Sequence, residues 1–145
     1  MLSNSCKYAI RAVVYLASRH TKSNIGIKEI SKELDLPSPF LAKILQQLAK
    51  NKILASVKGP NGGFTLKKKP EAITMLDIVK IIDGDDLFRK CLIHDGSCAE
   101  LKKNRKACPV HDGYSGIRAE IDMLFRSRTI ADLVKSAEGS DNILI

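Results

Sequence analysis

No run of apolar residues in this 145-residue chain is long enough to cross a bilayer as a helix, which takes about 20 in a row. Aromatic residues are only 5% of the chain, and no stretch sets a strongly basic face beside a bulky aromatic one. A membrane-surface helix is therefore not expected. There is no repeat of domain size and no low-complexity tract. Nothing supplies a nucleophile with a neighbouring base, or a glycine-rich nucleotide loop after a strand, so no enzyme is expected. Acidic residues are scarce in one half. Residues 1–70 hold 13 Lys/Arg against 3 Asp/Glu, a charge of +10, whereas residues 71–145 hold 11 against 13, a charge of −2. The whole-chain +8 thus sits on the N-terminal half and points to a polyanion partner. What is present is ordinary for a folded chain of about one domain, 44% hydrophobic and 28% charged.

The basic half contains the stretch IKEISKELDLPSPFLAKILQQLAKNKILASVKGPNGGFTL, from Ile27 to Leu66. Ile27, Ile30 and Leu34 recur at i, i+3, i+7, and Leu41, Ile44, Leu45 and Leu48 at i, i+3, i+4, i+7. Each set makes one apolar face of a helix, and Leu36-Pro37 breaks the two apart. Ser38 is read as the cap of the second helix and Pro39 as its first turn. Two helices about a tight turn predict a helix-turn-helix. The second helix exposes Ala42, Lys43, Gln46, Gln47 and Lys50, with no acid among them; Lys and Gln donate to phosphates and base edges. Ala55 to Lys58 and Phe64 to Leu66 read as strands around Gly59-Pro60-Asn61-Gly62-Gly63, a hairpin wing that offers Lys58 and Asn61 to a groove or backbone. The plain alternative is a helical hairpin with a solvated basic face.

Around this unit, Tyr8 to His20 is apolar almost all round and predicts a buried supporting helix. Cys6 near its start reads as a small buried thiol. Lys67-Lys68-Lys69 is a basic run, either solvated or against phosphate. Thr74 and Asp77 predict a capping box opening a helix through Ile82, ended by Gly84. Ile117, Ile121, Leu124 and Phe125 form a stripe on a helix from about Tyr114 to Ser127, suited to dimerisation or to covering the core. Thr129 and Asp132 open a short last helix, with a tail after Ser136. Ala9 to Ala17 is apolar, but Arg11 interrupts it and no small-residue cleavage site follows, so no leader peptide is read and a cytoplasmic, reducing compartment is expected.

Between Phe88 and Gly113 the apolar periodicity stops, and three of the four cysteines fall there. Clustered cysteines in a reducing compartment more often serve metal or redox chemistry than structural disulfides. Cys91, Cys98, Cys108 and His111 have the spacing C-x(6)-C-x(9)-C-x(2)-H, a complete four-ligand set. Lys102, Lys103, Arg105 and Lys106 between them favour thiolates. C-x-x-H-D-G occurs at both Cys91 and Cys108, so His94 is an alternative ligand. An iron–sulfur cluster, a zinc ion, a thiol–disulfide switch and unused cysteines all remain open from spacing alone.

YAIRAVVYLA, EISKELDLPSPFLAKILQQLAKNKIL, SVKGPNGGFTL, ITMLDIVKIIDG and TIADLV together resemble the Rrf-two family of bacterial winged-helix regulators, in particular its IscR-like type, from Ala9 to Val134. The resemblance implies a mainly α fold: a winged helix-turn-helix with a small β-hairpin wing and a long C-terminal dimerisation helix. Residues 1–83 would form the DNA-binding part, 84–113 a cysteine-rich sensor loop, and 114–145 the dimerisation helix and tail. It implies a homodimeric, sequence-specific regulator of transcription on double-stranded DNA, a repressor by expectation. Ser38, Phe40, Lys43 and Lys58 match positions where the family touches DNA. Lys28, Gln47 and Asn61 complete the expected DNA-binding set. Cys91, Cys98, Cys108 and His111 match the IscR-like ligands of a [2Fe–2S] cluster, whose state would set DNA affinity. The chain departs from that type in a longer cysteine spacing and in Ala42, where IscR-like proteins carry an acid. Lys7 stands where relatives that sense nitric oxide carry a ligating carboxylate. The rivals are a regulator with structural zinc or a thiol switch, and a small iron–sulfur or zinc protein or interaction adaptor.

Overall fold

The computed structural model describes residues 1–19, 23–94, 96–103 and 108–138. Helix α1, Asn4–Ser18, begins four residues before the expected start because Ser3 caps it, its Oγ accepting from the Cys6 N–H at 3.0 Å. Ala9, Ala12, Val13, Val14, Leu16 and Ala17 are buried on it, so α1 is the central post. Against it pack α2 (Ile27–Leu34), α3 (Ser38–Lys50) and the last helix, α8 (Ile130–Glu138), in one apolar cluster.

The turn between α2 and α3 is closed by backbone. Asp35 takes φ 51, a conformation its short polar side chain tolerates, and the Leu36 N–H donates to the Ser31 carbonyl at 3.0 Å. The position before α3 is Pro37, not Ser38, and no side chain caps it; Ser38 is the first helical residue. The hairpin pairs β1, Leu54–Val57, with β2, Gly63–Leu66, in antiparallel register from Leu54↔Leu66 to Val57↔Gly63. Each strand begins one residue earlier than expected, which leaves Lys58 in the turn rather than the strand. Ile25 joins the hairpin root, exchanging two backbone bonds with Phe64 at 3.0 and 2.9 Å. The wing is thereby tied to the segment that opens the helix-turn-helix.

After a 3-10 turn at Pro70–Ala72 comes α4, Met75–Ile82, opened by the expected capping box. The Asp77 N–H donates to Thr74 Oγ1 at 3.1 Å, and the Thr74 N–H donates back to Asp77 Oδ2 at 2.9 Å. The same exchange joins Thr129 and Asp132 before α8. The Met75 N–H donates to the Arg128 carbonyl and the Ile130 N–H to the Ile73 carbonyl, so both helices start from one bridge. Two short helices, α5 (Asp86–Arg89) and α6 (Cys98–Lys103), interrupt the cysteine-rich stretch. Helix α7, His111–Ser127, starts three residues earlier than expected. Its Phe125 joins Cys6, Leu76 and Val79 in a second apolar cluster, with Ile121 against it. Ile117, Met123 and Leu124 on its outer side are 56%, 66% and 49% exposed. The fold is mainly α, a winged helix-turn-helix followed by a long helix.

Candidate nucleic-acid interface and thiol loop

Lys28 is exposed in the first turn of α2. On α3, Ser38 is half-buried, Lys43 and Gln47 are exposed, and Phe40 is exposed while its ring stands edge-on to Tyr8 of α1, centroids 5.8 Å apart. Lys58 and Asn61 are exposed at the tip of the wing. The apolar stripe Leu41, Ile44, Leu45 and Leu48 is buried, which turns the acid-free side of α3 outward. The wing tip is made by close backbone approach. A Cβ on Gly62 would lie 2.3 Å from the Val57 carbonyl oxygen, and one on Gly63, at φ +152, 2.3 Å from the Ile25 carbonyl oxygen. Only glycine fits there, so GG at the end of KGPNGGF follows from geometry.

Gln47 has a second commitment. Its Nε2 donates to the Ile81 carbonyl, in the last turn of α4, at 2.6 Å. Sequence patterning gave no sign of this contact, because the partners lie 34 residues apart. It likewise missed Ser3, whose N–H donates to Asp83 Oδ2 at 2.8 Å and whose hydroxyl also bonds Asp83.

Of the expected metal ligands, Cys91 and Cys108 come together. Both are half-buried and unbridged, with their sulfurs 3.3 Å apart. His111 opens α7, and its N–H donates to the Cys108 carbonyl at 3.1 Å. His94 is exposed between Lys90 and Ser97, which form a bridge, and the Cys91 N–H donates to the Gly96 carbonyl at 3.0 Å. Cys98 opens α6; its side chain, with Arg105 and Lys106, lies outside the described residues. Among the described residues no group of three or more Cys, His, Asp or Glu side chains is gathered for a metal ion. Two sulfurs on one tetrahedral metal, each bond about 2.3 Å, stand about 3.8 Å apart. The Cys91–Cys108 pair therefore fits two positions of such a site with a small opening. Cys6 belongs to no such group. Burial first, and the Asp83 carboxylate second, push its thiol up to about 12, so it stays protonated and inert.

A sequence model of the Rrf2 (Rrf-two) family, described as iron-dependent transcriptional regulators, matches residues 2–136. An HTH-type transcriptional regulator of Aquifex aeolicus is 35% identical over 138 residues, 95% of this chain and 94% of that protein. CymR, the global cysteine regulator of B. subtilis, superposes with a TM-score of 0.77 at 22% identity, covering 94% of this chain and 97% of that one. The IscR structure from T. potens gives 0.73 at 23% identity, covering 100% and 93%. Among the described residues no helix is long and apolar enough to cross a membrane.

Proposed function

The chain belongs to the Rrf2 family of DNA-binding transcriptional regulators, which are not enzymes, and from that premise we propose a homodimeric cytoplasmic repressor whose DNA affinity follows an iron–sulfur loop. Residues 1–83 read the operator, residues 84–113 sense, and the helix from 114 onward pairs the subunits. Lys28, Ser38, Phe40, Lys43, Lys58 and Asn61 meet the DNA, the lysines on phosphate or base edges and the wing in the adjoining groove. Ile117, Met123 and Leu124, the exposed apolar side of α7, meet the same side of a second copy. The two reading helices then face half-sites about 34 Å apart, so a small rotation of one subunit against the other changes affinity.

The observation that carries the sensor is the meeting of the Cys91 and Cys108 sulfurs at 3.3 Å, one at the end of α5 and the other beside α7. With Cys98 and His111 they would hold a [2Fe–2S] cluster, which when bound supplies a charge and an oxidation state that can change. The chain's own part is to bring two thiols from opposite ends of an 18-residue stretch to one point and to place His111 one turn beyond Cys108. The same distance favours a second reading, a thiol switch in which Cys91 and Cys108 close a disulfide by passing two electrons and two protons to a small-molecule disulfide or peroxide.

The test is purification without oxygen, followed by a visible spectrum and assays of iron, sulfide and zinc on one sample. A brown protein with equal iron and sulfide, lost on Cys98→Ala, supports the cluster. A colourless protein with zinc makes the loop a structural site; neither metal leaves a thiol switch or a cluster-free regulator. Operator selection from random DNA, with and without the cluster, tests the repressor role.

A further inference from the structure

Gln47 lies on the exposed side of α3, four residues after Lys43 and seven after Phe40. Its side-chain amide is nonetheless spent on the Ile81 carbonyl at 2.6 Å. That carbonyl is one of the last four of α4, which have no partner within the helix. Two residues on, Asp83 is held by the Ser3 N–H and hydroxyl at the start of α1. Gly84, at φ +76, then turns the chain into α5. Arg118 of α7 donates to the carbonyls of Arg89 and Lys90 at 3.3 and 3.2 Å, and Cys91 follows directly. Residues 81–91 thus form a short strap. One end grips the helix expected to read DNA; the other carries a thiol that meets Cys108.

We propose that Gln47 is a positioning residue that passes the state of the 91–108 loop to the reading helix through the C-terminal end of α4. The physical argument is one of competing constraints. The strap is fastened to α1 at Asp83, to α7 at Phe88, whose ring packs on Phe125, and through Arg118, and to α3 at Gln47, and beyond Cys91 it runs into the thiol loop. Drawing Cys91 toward or away from Cys108 loads the strap. The load reaches α3 through the one side-chain bond that joins α3 to the end of α4 among the described residues. Because Gln47 shares a face with Lys43 and Phe40, a displacement at the Ile81 carbonyl tilts the residues expected on DNA.

The inference rests on the sensor role of the loop, and the test separates the two. Four chains are compared on one selected operator: wild type, Gln47→Met, Cys108→Ser and the double variant. Each is first checked for an intact thermal transition. Cys108→Ser is expected to shift operator Kd by about tenfold, the scale of ordinary allosteric coupling. In the Gln47→Met background the same change is expected to shift Kd by less than about twofold, because the link is already cut. Gln47→Lys, which keeps a donor of similar reach, is expected to restore the shift. Equal shifts with and without Gln47 would overturn the proposal and return Gln47 to a DNA contact or a surface amide. No shift from Cys108→Ser in the wild-type background would sink the sensor reading and this link with it. Hydrogen exchange over residues 41–50 in the DNA-free chain gives a readout independent of any contact between Gln47 and DNA. It is expected to change on Cys108→Ser only where Gln47 is present.

Discussion

From Ile25 to Leu66 the backbone is fastened at each bend. Asp35 closes the helix-turn-helix turn, Ile25 exchanges two bonds with Phe64, and Gly62 and Gly63 let carbonyls approach where no Cβ fits. Among the described residues from Asp85 to Val110, less of that holds. The two short helices there bury no residue completely among those described, and Leu92 and Ile93 stand 63% and 56% exposed. Ion pairs there include Arg89–Asp85, Lys90–Asp86 and Lys80–Asp85, all between exposed side chains, and these contribute little. One region has a single shape written into its backbone. The other, among its described residues, is tied to the core through Phe88, which packs edge-on to Phe125, and brings the Cys91 and Cys108 sulfurs together, an arrangement suited to an element that changes.

The sharpest way to break this contrast is a matched pair of glycine substitutions. Gly63 and Gly96 both have positive φ, +152 and +118. A Cβ at Gly63 would strike the Ile25 backbone, whereas at Gly96 the nearest atom is Glu100 Oε2, a flexible carboxylate, at 3.5 Å. Gly63→Ala is expected to cost about 3 kcal/mol and to lower Tm by roughly 10 °C. Gly96→Ala is expected to cost about 1 kcal/mol, felt in the loop rather than in the global transition. Thermal unfolding with hydrogen exchange on both variants checks this; equal losses of Tm would erase the distinction.

The second comparison separates binding from sensing. Replacing both Lys43 and Lys58 by Ala is expected to weaken DNA binding at least about 10- to 100-fold and to reduce the salt slope by about 2 per bound subunit, roughly 4 for a dimer. Cys91→Ser is expected to leave the salt slope unchanged while removing the response to loop state. Titrations at several salt concentrations decide it, and a flattened slope for Cys91→Ser would place the loop on the DNA.

The two regions also differ in how far they can be read without coordinates. The apolar stripes of α2 and α3 are local, with contacts set by a period of 3.6, so Ile30, Leu34, Leu41, Ile44, Leu45 and Leu48 fall inside as expected. The Thr74–Asp77 exchange is equally local. Errors arise where two local signals compete: Ser38 carries a capping side chain, but Pro37 takes the capping position because the Asp35 turn has already set the chain direction. Contacts between distant segments left no trace in the pattern. Gln47 looks like an exposed polar residue on a basic helix until the end of α4 is placed beside it. The two thiols, 17 positions apart in the chain, meet with a spacing compatible with several chemistries.

A smaller effect comes from the cap of α4. Thr74→Ala removes the hydroxyl that accepts the Asp77 N–H, at a cost of about 1 kcal/mol, or roughly 4 °C in Tm. Since Thr74 also bridges to Thr129, hydrogen exchange should rise at the starts of both α4 and α8 and not in the thiol loop.

The smallest effect sets the same device in both regions. Before α8, the Thr129 N–H and hydroxyl donate to Asp132; before α6, the Ser97 N–H and hydroxyl donate to Glu100. In each case the backbone bond first, and the hydroxyl second, hold the carboxyl below its ordinary range. A depressed carboxyl contributes stability that is present above its unfolded pKa and is lost as pH falls through the folded value. For Asp132 that loss falls below the usual carboxylate range and belongs to the global transition, since Ile130 and Val134 of α8 are buried against the α1 core. Thr129→Ala is therefore expected to flatten the fall of Tm at acid pH. Ser97→Ala is expected to leave that curve in place and to alter only exchange within the loop, because no described residue of α6 belongs to either apolar cluster. If Ser97→Ala shifts the acid limb of Tm as much as Thr129→Ala does, the loop unfolds with the rest of the chain and cannot act as a separately adjustable element.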